Sequence, residues 1–331
     1  MYFLKNSICT IITISIVVVG SVFHLLFEDK LYSEIENKIL QQAPNMNIES
    51  VKDGRYMREV ESYLIDQFPL RTELIKMKNN ILYKLGQSEF NEVYVTKSNR
   101  FLEKFIFNKD TFKSNLDMMN LIEHEFGIET VGMFIPTSIT IYENELPSYA
   151  ITDNEYDVLN YIKENFKGDF YSPYKILLEN KEDDIFFKTD HHWTQYGAKL
   201  MYEDYYGRSI DYKYEKVSGG FLGTYYSKTL VDLADSDNIY SYSELSDYYM
   251  EYDGQYSDSL YNVLRLDGKN KYQYFLNGDP AMGVVYGEGD GEVLIFKDSF
   301  SHAYIPFLVK EYSKIHIVDP RYSNYNIKEY I

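Results

Sequence analysis

The feature that most constrains this chain is a run near its start. Residues Ser7 to Phe27 read SICTIITISIVVVGSVFHLLF and carry no charged side chain. As a helix the run is about 31 Å long at 1.5 Å per residue, enough to cross the hydrocarbon core of a bilayer. The expectation is one transmembrane anchor over residues 7–27, preceded by a cytoplasmic tail, 1–6. Lys5 lies on one flank, Glu28 and Asp29 on the other, so the positive-inside rule places everything after Phe27 outside the cell. A cleaved signal peptide is the rival reading. Its apolar part would be shorter and would end at a small-x-small site. Gly20 and Ser21 are small, but no A-x-A-like site follows. Cys9 opens the run instead of following it, so it reads as a lipid-buried apolar residue and not as a lipidation site. No second stretch approaches this length, and the chain is expected to be single-pass at the cell membrane, with an extracytoplasmic body.

Composition then removes several classes of function. Cys9 is the single cysteine, so neither an intramolecular disulfide nor a thiolate zinc cluster can form. The formal charge is -18, which argues against a nucleic-acid partner, since no local basic patch offsets it. There is no G-x-x-x-x-G-K-[ST] and no convincing G-x-G-x-x-G. The glycines at Gly287, Gly289 and Gly291 precede a strand and read as a turn. No cofactor is expected.

The body divides into a polar, helix-like stalk over 28–90 and a domain over 91–331. In the stalk, ENKILQQ and MREVESYLIDQF have apolar spacings near 3.6, with Pro69 interrupting the second. Beyond it, helices are predicted over Asp110 to Phe126, Asp153 to Phe166, and from a Thr194 cap to about Tyr205. Strands are predicted over Thr130 to Ile135, Val293 to Lys297 and Lys314 to Val318. The region 207–280 is rich in Tyr, Ser, Asp and Gly without a period, and reads as an irregular insertion or short antiparallel strands. Apolar strands alternating with helices predict an α/β sandwich with a mainly parallel sheet.

The chemistry is narrowed by the scarcity of histidine. Two of the six lie in Thr189-Asp190-His191-His192-Trp193-Thr194. A carboxylate two residues from an imidazole can hold that ring's Nδ1–H and stabilise its charged form. A base of this kind needs a nucleophile, and Ser299 is the best placed. It follows the strand VLIFK directly, where the carboxyl ends of strands face the ligand crevice of an open α/β sheet. Its own amide, near a helix start, can donate to an oxyanion. Ser301 competes as nucleophile or caps the helix. A metal site of Asp190, His191, His192 and His302 is the rival chemistry, although adjacent histidines rarely both face one ion.

TDHHWTQYGA, followed about a hundred residues later by KDSFSHAYIPFL, resembles the DHHW protein family, related to the SGNH-hydrolase-like alginate O-acetylation proteins of bacteria. The segments FPLRTELIKMKNNILYKLG, FIPTSITIYENELP and FLGTYYSKT also look like family blocks, and the resemblance covers roughly residues 50 to 331. It implies a three-layer α/β/α, flavodoxin-like SGNH-hydrolase-like domain with permuted motif order, the nucleophile block lying after the Asp/His block. It also implies a catalytic Ser299, His192 and Asp190. Two departures stand out. Lys297 replaces the glycine of a G-D-S-type block, and no block supplies the usual oxyanion Gly and Asn. The Ser299 amide, with the Gly223 and Thr224 backbone, is the candidate oxyanion set.

The activity implied is extracytoplasmic O-acetylation of a cell-surface or exported polysaccharide through an acetyl-serine. A multipass membrane acyltransferase would be the acetyl donor. Water in place of a sugar hydroxyl would make the chain an acetylesterase. A non-catalytic glycan-binding subunit is the alternative without chemistry. Candidate substrate contacts are His191, Trp193, Arg321 and Tyr322. His191 leans towards a structural role and Trp193 towards packing behind the loop. The 35 tyrosines fit either AT-rich coding bias or sugar platforms, and Tyr225, Tyr226 and Tyr322 adjoin motif-like blocks. A neutral glycan suits the charge better than an anionic one, unless Arg321 and nearby lysines form a positive patch.

Overall fold

The computed structural model describes residues 10, 11, 14, 15, 18, 20, 22, 26–232 and 235–323. Most of the expected span, 7–27, lies outside these residues. Among the described residues no helix is long and apolar enough to cross a membrane. The chain forms two compact units, Met1–Gln87 with Leu230–Asp232, and Ser88–Thr229 with Leu233–Ile331.

In the first unit a hairpin pairs Tyr32–Ser33 with Lys38–Ile39. Asn37 takes the left-handed φ of 51° in its turn, a conformation asparagine tolerates well. ENKILQQ is therefore a turn and a strand, not the helix its spacing predicts. Only Leu40 of its apolar residues is buried, too little to hold one helical face. Three helices follow, Ile48–Lys52, Arg55–Asp66 and Arg71–Lys84. Asn47 starts the first, its Oδ1 accepting from the Ser50 amide at 2.8 Å. Pro69 falls at the break between the second and third, as its missing N–H requires.

The second unit is mixed α/β. Its largest sheet runs Gln255–Ser257, Met250–Tyr252, Met282–Tyr286, Lys314–Val318, Glu292–Phe296. Of these neighbours only Glu292–Phe296 and Lys314–Val318 are parallel. A second parallel pair joins Val131–Met133 to Asp169–Tyr171. The strands Glu89–Phe90, Val93–Val95 and Phe101–Glu103 are antiparallel, as are Tyr214–Phe221 and Asp237–Tyr242. Among the described residues the expected mainly parallel sheet thus holds for two pairings. Short hairpin connections account for part of the difference, as in the pair Met250–Tyr252 and Gln255–Ser257 within 207–280, while Met282–Tyr286 runs antiparallel to Lys314–Val318 outside that region. Asp253 and Gly254 have φ of 46° and 75°, the turn a two-residue hairpin needs, and such a hairpin can only be antiparallel.

The helices Lys109–Phe126, Glu155–Asn165 and Gln195–Tyr206 lie where the spacing predicts them. Thr194 caps the last one, its Oγ1 accepting from the Gly197 amide at 3.2 Å. The segment 287–291 is a turn strapped to the end of the last crossover, with Glu288 N donating to Val309 O at 2.7 Å. The parallel strands Glu292–Phe296 and Lys314–Val318 are joined by a crossover containing the helix Ser301–Tyr304 and a 3₁₀ turn, Ile305–Lys310. That connection leaves Ser299 at a strand's carboxyl end. The core beneath is aromatic: Trp193, Tyr94, Tyr202, Tyr272, Phe101 and Phe186 are all fully buried.

Candidate active site

The Asp190 loop is closed from below by backbone pairing. Phe186 and Trp193 form an antiparallel bridge, and the Thr194 amide donates to Ile185 O at 2.9 Å. Asp237 fixes the crown of the loop. Its carboxylate accepts from the Lys188 amide at 2.9 Å, the Thr189 amide at 2.8 Å and the Thr189 hydroxyl at 2.6 Å. Thr189 Oγ1 in turn accepts from the Gly223 amide at 3.1 Å. The loop and the helix Thr224–Thr229 are therefore one hydrogen-bonded unit.

Within it, His192 Nδ1 lies 2.6 Å from Asp190 Oδ1, and His192 Nε2 lies 2.8 Å from Ser299 Oγ. Asp190 Oδ1 also accepts from the His192 amide at 3.1 Å, and Oδ2 accepts from the Thr224 amide at 2.8 Å. The structure thus brings the Asp190–His192 loop together with Ser299, 107 residues further on, in the order carboxylate, imidazole, hydroxyl. Asp190 is 2% exposed. Burial alone would raise its carboxyl, but His192, His191 and the Thr224 amide outweigh that and hold it well below the ordinary carboxylate range. Burial, reinforced by the adjacent His192, pushes His191 down to about 4, so near neutral pH His191 is uncharged. Gly223 makes the close approach possible. A Cβ there would sit 2.3 Å from both Cβ and Oδ2 of Asp190.

Tyr272 lies outside every motif, yet it holds the site from behind. Its ring stacks on His192 with centroids 3.7 Å apart and planes 8° from parallel. Its hydroxyl donates to Ser299 O at 3.0 Å and to Phe300 O at 3.3 Å. One side chain therefore touches both the imidazole and the backbone of the serine turn. Trp193 is fully buried and donates from Nε1 to Phe300 O at 2.8 Å, which ties the same turn to the histidine loop. It packs behind the loop and offers no face to a sugar.

Lys297, at the position of the missing glycine, is buried. Its Nζ donates to Asp319 Oδ2 at 3.0 Å and lies 2.9 Å from His302 Nε2. Arg321, expected to reach substrate, forks onto the same Asp319, Nε to Oδ1 at 2.9 Å and Nη2 to Oδ2 at 2.7 Å. Burial would raise Asp319, but the bonds from Arg321 and Lys297 outweigh it and hold the carboxyl at about 2. The two cations pin the ends of the parallel strands on either side of the serine turn.

Several sequence expectations change. The Gly223 and Thr224 amides are engaged by Thr189 and Asp190, so they steady the aspartate and are not oxyanion donors. The Ser299 amide donates to no group among the described residues. Ser301 is the first residue of its helix and not its cap. Tyr225 and Tyr226 are buried and unavailable as platforms, whereas Tyr322 is exposed, with Arg321 5.2 Å from its ring centroid. His191 is half-buried, its ring 3.8 Å from that of His192. Asp190, His191 and His192 offer ligand atoms within 4.8 Å of one another. Both Asp190 oxygens and both His192 nitrogens already have partners, however, and His302 faces the Lys297 ammonium instead.

The chain resembles solved structures in fold. A DHHW family protein from Eubacterium siraeum DSM 15702 superposes with a TM-score of 0.63 at 21% identity, covering 73% of this chain and 87% of that one. Bacillus cereus PatB1 gives 0.60 at 20% identity, covering 72% and 91%. The same protein with a sulfonyl adduct gives 0.59 at 19%, covering 74% and 91%. A comparison with curated proteins finds no match. The sequence model of the DHHW protein family matches residues 82–318, well over half of the length, with the Asp190–Trp193 loop and Ser299 inside the matched stretch. The chain belongs to the DHHW protein family.

Proposed function

We propose that this protein is a membrane-anchored, extracytoplasmic serine-type O-acetyltransferase acting on a cell-surface polysaccharide. The observation that carries the proposal is the relay of 2.6 Å from Asp190 to His192 and 2.8 Å from His192 to Ser299. Ser299 Oγ attacks the acetyl carbonyl while His192 Nε2 takes its proton. The tetrahedral oxyanion is met by the Ser299 amide. The donor's leaving group departs with the proton from His192, and an acetyl ester remains on Ser299. A sugar hydroxyl then loses its proton to His192 and attacks that ester, and Ser299 recovers its proton as it leaves. Asp190 keeps Nδ1 protonated and steadies the imidazolium. A multipass acyltransferase in the same membrane would supply the acetyl group. With water as acceptor the same steps make an acetylesterase.

The proposal includes the finer architecture: an anchor over 7–27, a stalk over 28–90, and a permuted, flavodoxin-like SGNH-type domain of three α/β/α layers over 91–331. The test uses the full chain in detergent with 4-nitrophenyl acetate, with and without oligosaccharide acceptors. Ester turnover, with acetyl moved to the acceptor, is expected. Ser299→Ala and His192→Ala should each lower turnover by about two orders of magnitude or more. Wild-type turnover in the folded Ser299→Ala protein would overturn the assignment.

A further inference from the structure

The helix Arg71–Lys84 of the first unit is inside out. On a helix facing water, apolar side chains turn inward and polar ones outward. In Arg71–Lys84 and its flank, Leu74, Met77, Ile81 and Leu85 recur at spacings of three and four residues, the repeat of one helical face. All are exposed, Met77 by 57% and Leu85 by 78%. The opposite side is polar. Asn79 is buried, Asn80 exchanges hydrogen bonds with Leu230 O at 3.3 Å and the Asp232 amide at 3.0 Å, and Lys76 pairs with Asp232 at 3.0 Å. The preceding helix, Arg55–Asp66, also exposes apolar residues, alongside the exposed Arg55, Arg58 and Glu61. Met57, Leu64 and Ile65 are exposed, as is Phe68 just beyond it, while Asp66 is buried against Lys38.

We infer that this apolar face rests in the headgroup layer of a lipid bilayer, parallel to its surface. Two observations select lipid as the occupant. The first is continuity: the helices follow closely in the chain after the uncharged run 7–27, whose length matches a hydrocarbon core. The second is charge. Residues 1–87 contain 10 Lys and Arg and 10 Asp and Glu, which leaves 33 − 10 = 23 against 51 − 10 = 41 in the rest of the chain. The whole net charge of -18 therefore lies outside this segment. Arg71–Lys84 itself carries Arg71, Lys76, Lys78 and Lys84 and one carboxylate, Glu73; Arg71 pairs with Glu36 and Lys76 with Asp232. Lys78 and Lys84 are exposed beside the apolar stripe, where their stems can lie along lipid and their ammonium groups can reach phosphates. An anionic surface would repel the remainder of the protein and attract this helix.

The inference does not depend on the reaction proposed above, and its test separates the two. The full chain, with Cys9→Ser, receives one cysteine at a time by Met77→Cys, Ile81→Cys, Leu85→Cys or, as a control in the other unit, Tyr256→Cys. Each protein is labelled with an environment-sensitive fluorophore and reconstituted in phosphatidylcholine–phosphatidylglycerol vesicles. Lipids brominated high on the acyl chain should quench the probes at 77, 81 and 85 and spare the one at 256. Iodide in the water should do the reverse. Adding Ile81→Glu should return the Leu85→Cys probe to water while turnover of 4-nitrophenyl acetate in detergent stays at the parent's rate. Probes at 77, 81 and 85 as open to iodide as the one at 256 would overturn the inference. So would probes shielded from both quenchers, which would mean a protein partner or a second copy, or a chain that does not float with the vesicles.

Discussion

Gly223→Ala gives a sharp test of how the site is held. Gly223 is not in the left-handed region, so alanine meets no backbone penalty, and its lower unfolded-chain entropy would by itself stabilise the protein by about 0.4–1 kcal/mol. The whole cost comes from the new methyl. It would stand 2.3 Å from Asp190 Cβ and Oδ2 and 2.6 Å from Cγ, where ordinary contact begins at 3.4 Å. Either the carboxylate or the Thr224 turn must move by about 1 Å, a shift that costs about 10²-fold when it misplaces a catalytic group. Since Asp190 accepts from both the His192 ring and the Thr224 amide, both bonds loosen together. Turnover of 4-nitrophenyl acetate should fall about 10²-fold, roughly 2.7 kcal/mol in the barrier. Overpacking should also cost about 1–3 kcal/mol of stability. Rates are therefore measured well below the melting temperature, with circular dichroism confirming the fold. Gly268→Ala is the control, because its Cβ would approach nothing nearer than Arg265 O at 3.6 Å. A folded Gly223→Ala protein with wild-type turnover would refute the argument that Asp190 must sit where only glycine allows it.

Other outcomes follow from the same geometry. Tyr272→Phe keeps the ring on His192 but loses the bond to Ser299 O, so turnover should drop about 3- to 10-fold with KM little changed; Tyr272→Ala should cost about 3–5 kcal/mol of stability, read by denaturant titration. Asp319→Ala strands the buried Lys297 and should cost about 3–5 kcal/mol, and adding Lys297→Met should recover part of that loss. His191 should make stability pH-dependent. Its folded value, about 4, lies below that of an unfolded histidine, near 6.5, so between these values the unfolded chain binds more protons. Stability is then full above about 6.5 and declines towards pH 4, by at most ~3 kcal/mol and by less in practice because the ring is a third exposed. His191→Gln should flatten that slope in melts from pH 4 to 7.5, and an unchanged slope would contradict the sign.

What the sequence reveals here is what is local. Asp190, His192 and their spacing sit in one short loop, and Ser299 follows an apolar strand directly, so each role can be read from a few neighbours. Thr194 announces its helix for the same reason. Tyr272 and Asp237 are illegible because they come from 207–280, which has no period, and their value lies wholly in which distant atoms they meet. Backbone donors fail similarly. Nothing in FLGTYYSKT tells which way the Gly223 and Thr224 amides point, and they point at Thr189 and Asp190. Arg321 reads as an unpaired cation because its partner Asp319 looks like a strand-ending turn residue; Arg321 is exposed, but Asp319 is a buried acceptor shared by two cations. The tyrosines mislead by number. Tyr225 and Tyr226 lie beside a motif but are core residues, and Tyr272, beside no motif, is part of the site.

The central claim is that His192 activates Ser299. The most direct measurement is peptide mapping by mass spectrometry after treating the full chain with a sulfonyl fluoride, which modifies a serine only when its hydroxyl is activated. The account predicts a sulfonyl group on Ser299 that appears in step with the loss of ester turnover and is absent from His192→Ala. Loss of turnover with Ser299 unmodified, or equal labelling of Ser299 without His192, would contradict it.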